Sequence, residues 1–100
     1  MTKRQDKFYA SALGVTLRAL RKSKKMSMPE TGILIGVSPS AVQAWESNRT
    51  SPTWANIISI CRAYRISLSG LMLLVEKTIS MMEKENEAVK PTAAGRNAKR

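Results

Sequence analysis

One hundred residues allow a single domain with a modest core, and 17 Lys and Arg set against 7 Asp and Glu leave a net charge of +10. So basic a balance favours a polyanionic partner, nucleic acid or an anionic membrane surface, without choosing between them. A single cysteine, Cys61, and no histidine rule out an internal disulfide, zinc-finger spacing and an imidazole base. No metal, cofactor or catalytic residue is expected, and the chain does not read as an enzyme.

The opening MTKRQDKFYA lacks the continuous apolar region of a signal peptide. The longest apolar run, Leu71 to Val75, is far short of the ~20 residues that span a bilayer. A cytoplasmic protein is the expectation. Residues 1–10 set Lys3, Arg4 and Lys7 against Asp6 with no helical stripe, which reads as a flexible basic arm or a frayed terminus. From about Ser11 the spacing Leu13, Leu17, Leu20 marks a first helix, with Arg18, Arg21, Lys22, Lys24 and Lys25 on its polar side and tail. Cations at a helix C-terminus are favourable by about 0.3–1 kcal/mol, which accounts for some of these. Five in eight residues exceed that need.

Ser27 followed by Glu30 is a capping box that opens a second helix at about residues 28–35, and Gly36 is placed to end it in the left-handed conformation. Ser38 then caps a third helix over residues 39–47, with Pro39 at its first position. Two short helices about a Gly-containing turn are the layout of a helix-turn-helix. Val42 and Trp45, with Ala41, form the inward stripe of the third helix and leave Ser40, Gln43, Ala44 and Ser47 outward. That outer face is uncharged, and suits either a surface laid against it or an ordinary polar helix.

The run SNRTSPT over residues 47–53 reads as a loop, with Asn48 as a left-handed cap and Arg49 projecting beyond it. A fourth helix follows Pro52, with the stripe Ile57, Ile60, Cys61, Tyr64 widened by Trp54 and Ile58. Cys61 lies within that stripe and reads as a small core hydrophobe. Ser67 caps a fifth helix over about residues 68–84. Its apolar residues beyond Leu74, namely Val75, Ile79 and Met82, pack either on a second subunit, the favoured reading, or on the first helix. Glu76, Glu83, Glu85 and Glu87 read as ordinary solvation of an exposed helix end. Residues 86–100 are small, polar and basic, and are expected to be disordered.

From Leu13 to Leu74 the chain resembles the Cro/phage-repressor (Xre-type) helix-turn-helix family. The resemblance rests on an Arg-rich first helix in LRALRKSKK, the Gly-Val-Ser turn at Gly36, the Trp45-Glu46 pair and the Pro-led fourth helix in SPTWANIISICRAYRI. It implies an all-α, five-helix lambda-repressor-like DNA-binding domain over residues 11–85, with an extended C-terminal helix. It also implies a structural salt bridge between Arg21 and Glu46 beneath the DNA-binding surface. Base contacts are then expected from Pro39, Ser40, Gln43 and Ala44, and phosphate contacts from Ser38, Ser47, Asn48, Arg49 and Lys25. Among these, Gln43 can grip adenine at N6 and N7, whereas Pro39 and Ala44 offer only apolar contact. Direct readout is thin, so phosphate contacts and DNA shape should carry a large share of recognition.

Two departures from the family pattern are visible. Met28 stands where members commonly carry Gln, which removes a phosphate contact. Thr31 and Gly32 replace the usual Leu-Ala pair, so the second helix is expected to pack less well. The resemblance implies a sequence-specific, double-stranded-DNA-binding transcriptional regulator, a homodimeric repressor on a palindromic operator with no membrane role. The alternative is an antitoxin-type autorepressor that also binds a protein toxin.

Overall fold

Short-range hydrogen bonds divide the chain into helices before any tertiary contact is considered. A computed structural model describes residues 3–89, and side chains over residues 9–86. It places α1 at Lys3–Ser23, α2 at Met28–Ile35, α3 at Pro39–Glu46, α4 at Trp54–Ala63 and α5 at Leu68–Val89. The protein is all-α, and its described residues form five helices. Ser27 Oγ accepts from Glu30 N–H at 3.1 Å while Glu30 Oε1 accepts from Ser27 N–H at 2.7 Å, closing the capping box. Ser38, Thr53 and Ser67 cap α3, α4 and α5 through Ala41, Asn56 and Gly70 N–H groups. Thr53 is the one cap that Pro52 obscures in the sequence.

The first four helices end alike. Lys25, Gly36, Asn48 and Arg65 take φ of 57°, 89°, 63° and 55°. In each case the next amide reaches back to the preceding helix, from Met26 to Arg21 O, Val37 to Gly32 O, Arg49 to Ala44 O and Ile66 to Cys61 O. Only Gly36 occupies that conformation without steric cost; Lys25 and Arg65 hold it against an intrinsic penalty of about 1 kcal/mol or more.

Apolar stripes from four helices meet in one core: Leu17 and Leu20 of α1, Val42 and Trp45 of α3, Ile60, Cys61 and Tyr64 of α4, and Leu71 of α5. Burial of each large side chain contributes about 1.5–3 kcal/mol before the loss of conformational entropy is counted. Trp54, expected within this stripe, is instead 64% exposed at the first position of α4. Thr31 is fully buried, and its Oγ1 accepts from Tyr64 O–H at 3.3 Å. A Cβ on Gly32 would lie 2.5 Å from Val37 O, so the turn after α2 closes onto the backbone of α2 itself. The expectation that Thr31 and Gly32 loosen α2 is therefore corrected: one fills the core with a bonded hydroxyl, and the other permits the tight turn.

Two further expectations are corrected at the ends of the chain. Residues 3–10 are helical, not an extended arm, because they contain no Gly or Pro and continue α1 alongside α5. Tyr9 O–H donates to Glu83 Oε2 at 3.0 Å across that contact. The C-terminal half of α5 packs on α1, where Thr16 O–H donates to Thr78 Oγ1 at 2.8 Å. Val75, Ile79 and Met82 share the helix face of Thr78 and are half-buried within one chain. Of the segment expected to be disordered, residues 86–89 continue α5 and residues 90–100 lie outside the described residues. No single helix among the described residues is long and apolar enough to cross a membrane.

Candidate nucleic-acid interface

The position of α3 is fixed by α1 through backbone, charge and apolar contact together. A Cβ on Gly14 would lie 2.6 Å from Trp45 O and 3.0 Å from Glu46 O, so the two helices touch backbone to backbone at this residue. Nothing in the spacing of the sequence marks Gly14 for that role, since it depends on where α3 lies. One turn further along come Leu17 and Leu20, which share the core with Val42 and Trp45. Arg21 then closes the contact. Its Nε donates to Glu46 Oε2 at 2.7 Å, its Nη2 to Glu46 Oε1 at 3.0 Å, and its Nη1 to Met26 O at 2.8 Å. The two side chains are only 9% and 3% exposed, so this is a bidentate pair largely withdrawn from water. The bond to Glu46 raises the Arg21 pKa above its ordinary value despite burial, which keeps the guanidinium charged at all relevant pH.

With Trp45 and Val42 turned inward, α3 presents Pro39, Ser40, Gln43 and Ser47 to solvent, with Ala44 half-buried beside them. These residues lie on one side of the helix at i, i+3 and i+4 spacings. The exposed face carries no charge of its own. Charge gathers near the C-terminal end of α3: Lys22, Lys24 and Lys25 follow Arg21, whose bond to Glu46 brings the end of α1 to the end of α3, and Arg49 projects from the turn after α3. All four are exposed.

The individual side chains differ in what they have left to offer. Ser38 Oγ accepts from Ala41 N–H at 3.1 Å, and its own proton can still be donated. Ser47 turns its hydroxyl back into α3, donating to Gln43 O at 2.9 Å, so it has no proton for a phosphate unless it rotates. Asn48 is in the left-handed conformation and exposed, and Arg49 Nη2 donates to Gln43 Oε1 at 3.4 Å. Lys25 is also left-handed, a feature no Lys announces in a sequence. Away from this face, burial raises the Cys61 thiol pKa and, as the largest cause, that of the Tyr64 phenol, so both stay protonated within the core. Among the described residues no cluster of His, Cys, Asp or Glu is arranged to hold a metal ion.

This arrangement, two capped helices about a left-handed turn with the second buried on one side and smooth on the other, defines a helix-turn-helix domain. A family model described as a helix-turn-helix domain matches residues 12–71, more than half of the chain. The chain belongs to that family, and within it to the Cro/phage-repressor type. Repressor protein C2 of Salmonella phage P22 is 33% identical over 60 residues, which cover 60% of this chain but 28% of the repressor. The chain thus spans little more than a quarter of that relative's length. A crystal structure of the P22 c2 repressor in complex with synthetic operator 9T is similar at a TM-score of 0.55 and 32% identity, over 59% of this chain and 89% of that one. The clp gene regulator ClgR from Corynebacterium glutamicum shares the fold more completely, with a TM-score of 0.79 over 88% of this chain and 94% of that one, at 19% identity.

Proposed function

We propose that the protein is a sequence-specific, double-stranded-DNA-binding transcriptional regulator, acting as a repressor, that places α3 in the major groove. The observation that carries this reading is the outer face of α3. Ser40 and Gln43 are exposed on a helix whose opposite side is buried by Val42 and Trp45, and exposed cations gather near the C-terminal end of that helix. An α-helix fits the major groove of B-DNA, amides and hydroxyls can read base edges there, and Lys and Arg at the margins meet phosphates. The likeness of the fold to a P22 c2 repressor solved with a synthetic operator supports the same reading.

Two copies on a palindromic site would set their recognition helices about one helical turn, roughly 34 Å, apart. The surface offered for pairing is the far part of α5, where Val75, Ile79 and Met82 are only half-buried within one chain.

The test is a gel-shift titration over a range of salt with a duplex selected from a random pool and with an unselected duplex. The selected duplex should bind more tightly by tenfold or more, and both affinities should fall steeply as salt rises. Equal affinity for the two duplexes at every salt concentration would overturn sequence-specific regulation.

A further inference from the structure

One contact on the exposed face of α3 does nothing for the core. Arg49 Nη2 donates to Gln43 Oε1 at 3.4 Å, and both side chains stand in solvent. The backbone holds Arg49 in reach. Asn48 reverses the chain at φ 63°, and the amides of Arg49 and Thr50 both return to Ala44 O, at 2.9 and 3.3 Å. The loop therefore folds back over the last turn of α3, and the guanidinium arrives next to a side chain six residues earlier. A guanidinium has only donors, so the amide that meets it must turn its carbonyl oxygen toward it and its NH2 group away.

That orientation changes what the pair can read. A free Gln offers one acceptor and one donor to a base edge, and so matches adenine, which presents a donor at N6 and an acceptor at N7. Here one of the two lone pairs of the Gln43 carbonyl is taken by Arg49, and the guanidinium is brought beside the one that remains. The exposed pair then offers mostly donors, the Gln43 NH2 and the unused N–H groups of Arg49, against one remaining lone pair. Guanine presents two acceptors in the major groove, N7 and O6. A long, exposed bond contributes little to stability in water, but it strengthens once a duplex excludes solvent from both partners.

We propose that Gln43 and Arg49 form one reading unit that selects guanine over adenine at the base pair facing Gln43, with Arg49 as a positioning residue for specificity and not solely a phosphate anchor. The proposal rests on α3 being the base-reading helix. It differs from the expectation that Gln43 grips adenine, and the two predict opposite base preferences at that pair.

Selection of bound duplexes from a random pool at low salt, by the wild type, Gln43→Ala and Arg49→Met, tests it. Gln43→Ala identifies the position by flattening the preference at one base pair in each site. At that pair the wild type should favour guanine over adenine by roughly tenfold. Arg49→Met should abolish that preference or convert it to adenine, while the preferences at other pairs persist. An adenine preference in the wild type at that pair, a guanine preference there that survives Arg49→Met, or the absence of any pair flattened by Gln43→Ala would each overturn the reading unit while leaving DNA recognition intact. Failure of the wild type to enrich any sequence would instead remove recognition itself, and the reading unit with it.

Discussion

Helix α1 meets two partners in different ways. Against α3 it has no freedom: Gly14 touches backbone, Leu17 and Leu20 share a core with Val42 and Trp45, and Arg21 makes a bidentate, nearly dry bond to Glu46. Against the far part of α5 it is held by half-buried apolar residues, a hydroxyl pair between Thr16 and Thr78 and an exposed bond from Tyr9 to Glu83. The first contact specifies an orientation and the second covers a surface. A helix that must present a fixed face to a rigid duplex needs the former kind, since a small rotation moves every side chain on that face.

The comparison breaks most readily at Glu46. Replacement by Ala leaves the Arg21 charge buried with only Met26 O for a partner, and should cost about 3–5 kcal/mol in denaturant-induced unfolding. Combining Arg21→Met with Glu46→Leu should recover most of that loss, because a buried ion pair and an apolar pair of similar volume are often close in stability. If the double variant remains as unstable as the single one, the pair acts by more than mutual neutralisation. Gly14→Ala comes next. Its methyl group would press on two backbone oxygens that cannot rotate away, and a thermal melt should show a loss of about 1–3 kcal/mol.

The smallest effects belong to α5. Thr16→Val removes the one hydroxyl proton that lies within reach of both Thr78 Oγ1 and Ala12 O, and should cost about 1 kcal/mol. Tyr9→Phe, on an exposed bond, should leave the melting midpoint unchanged within error. A Tyr9→Phe loss comparable to that of Glu46→Ala would erase the distinction between the two contacts of α1.

What was legible in the sequence follows the range of the interactions concerned. The Ser27–Glu30 box, the Ser38 cap with Pro39 behind it, the left-handed Gly36 and the inward Val42 and Trp45 all depend on neighbours within four residues, and the residue types announce them. The pairing of Arg21 with Glu46 spans 25 positions and entered only through the family resemblance. Gly14, Gly32 and the Thr16–Thr78 pair had no signal of their own, because each depends on where another element comes to rest. What the far part of α5 packs on was hidden for the same reason. A stripe of Val75, Ile79 and Met82 reveals that something covers it, but not whether the cover comes from the same chain. The orientation of the Gln43 amide was hidden as well, since it depends on a loop turning back at Asn48.

The caps and left-handed closures also bear on how the chain reaches this fold. Helices α2, α3 and α4 each carry a start at one end and a stop at the other, within segments of eight to ten residues. Much of the architecture is thus written in contacts between near neighbours, which require little loop closure. Domains of that kind acquire their structure in microseconds to milliseconds, so a newly made copy should be ready for use almost as soon as it is released.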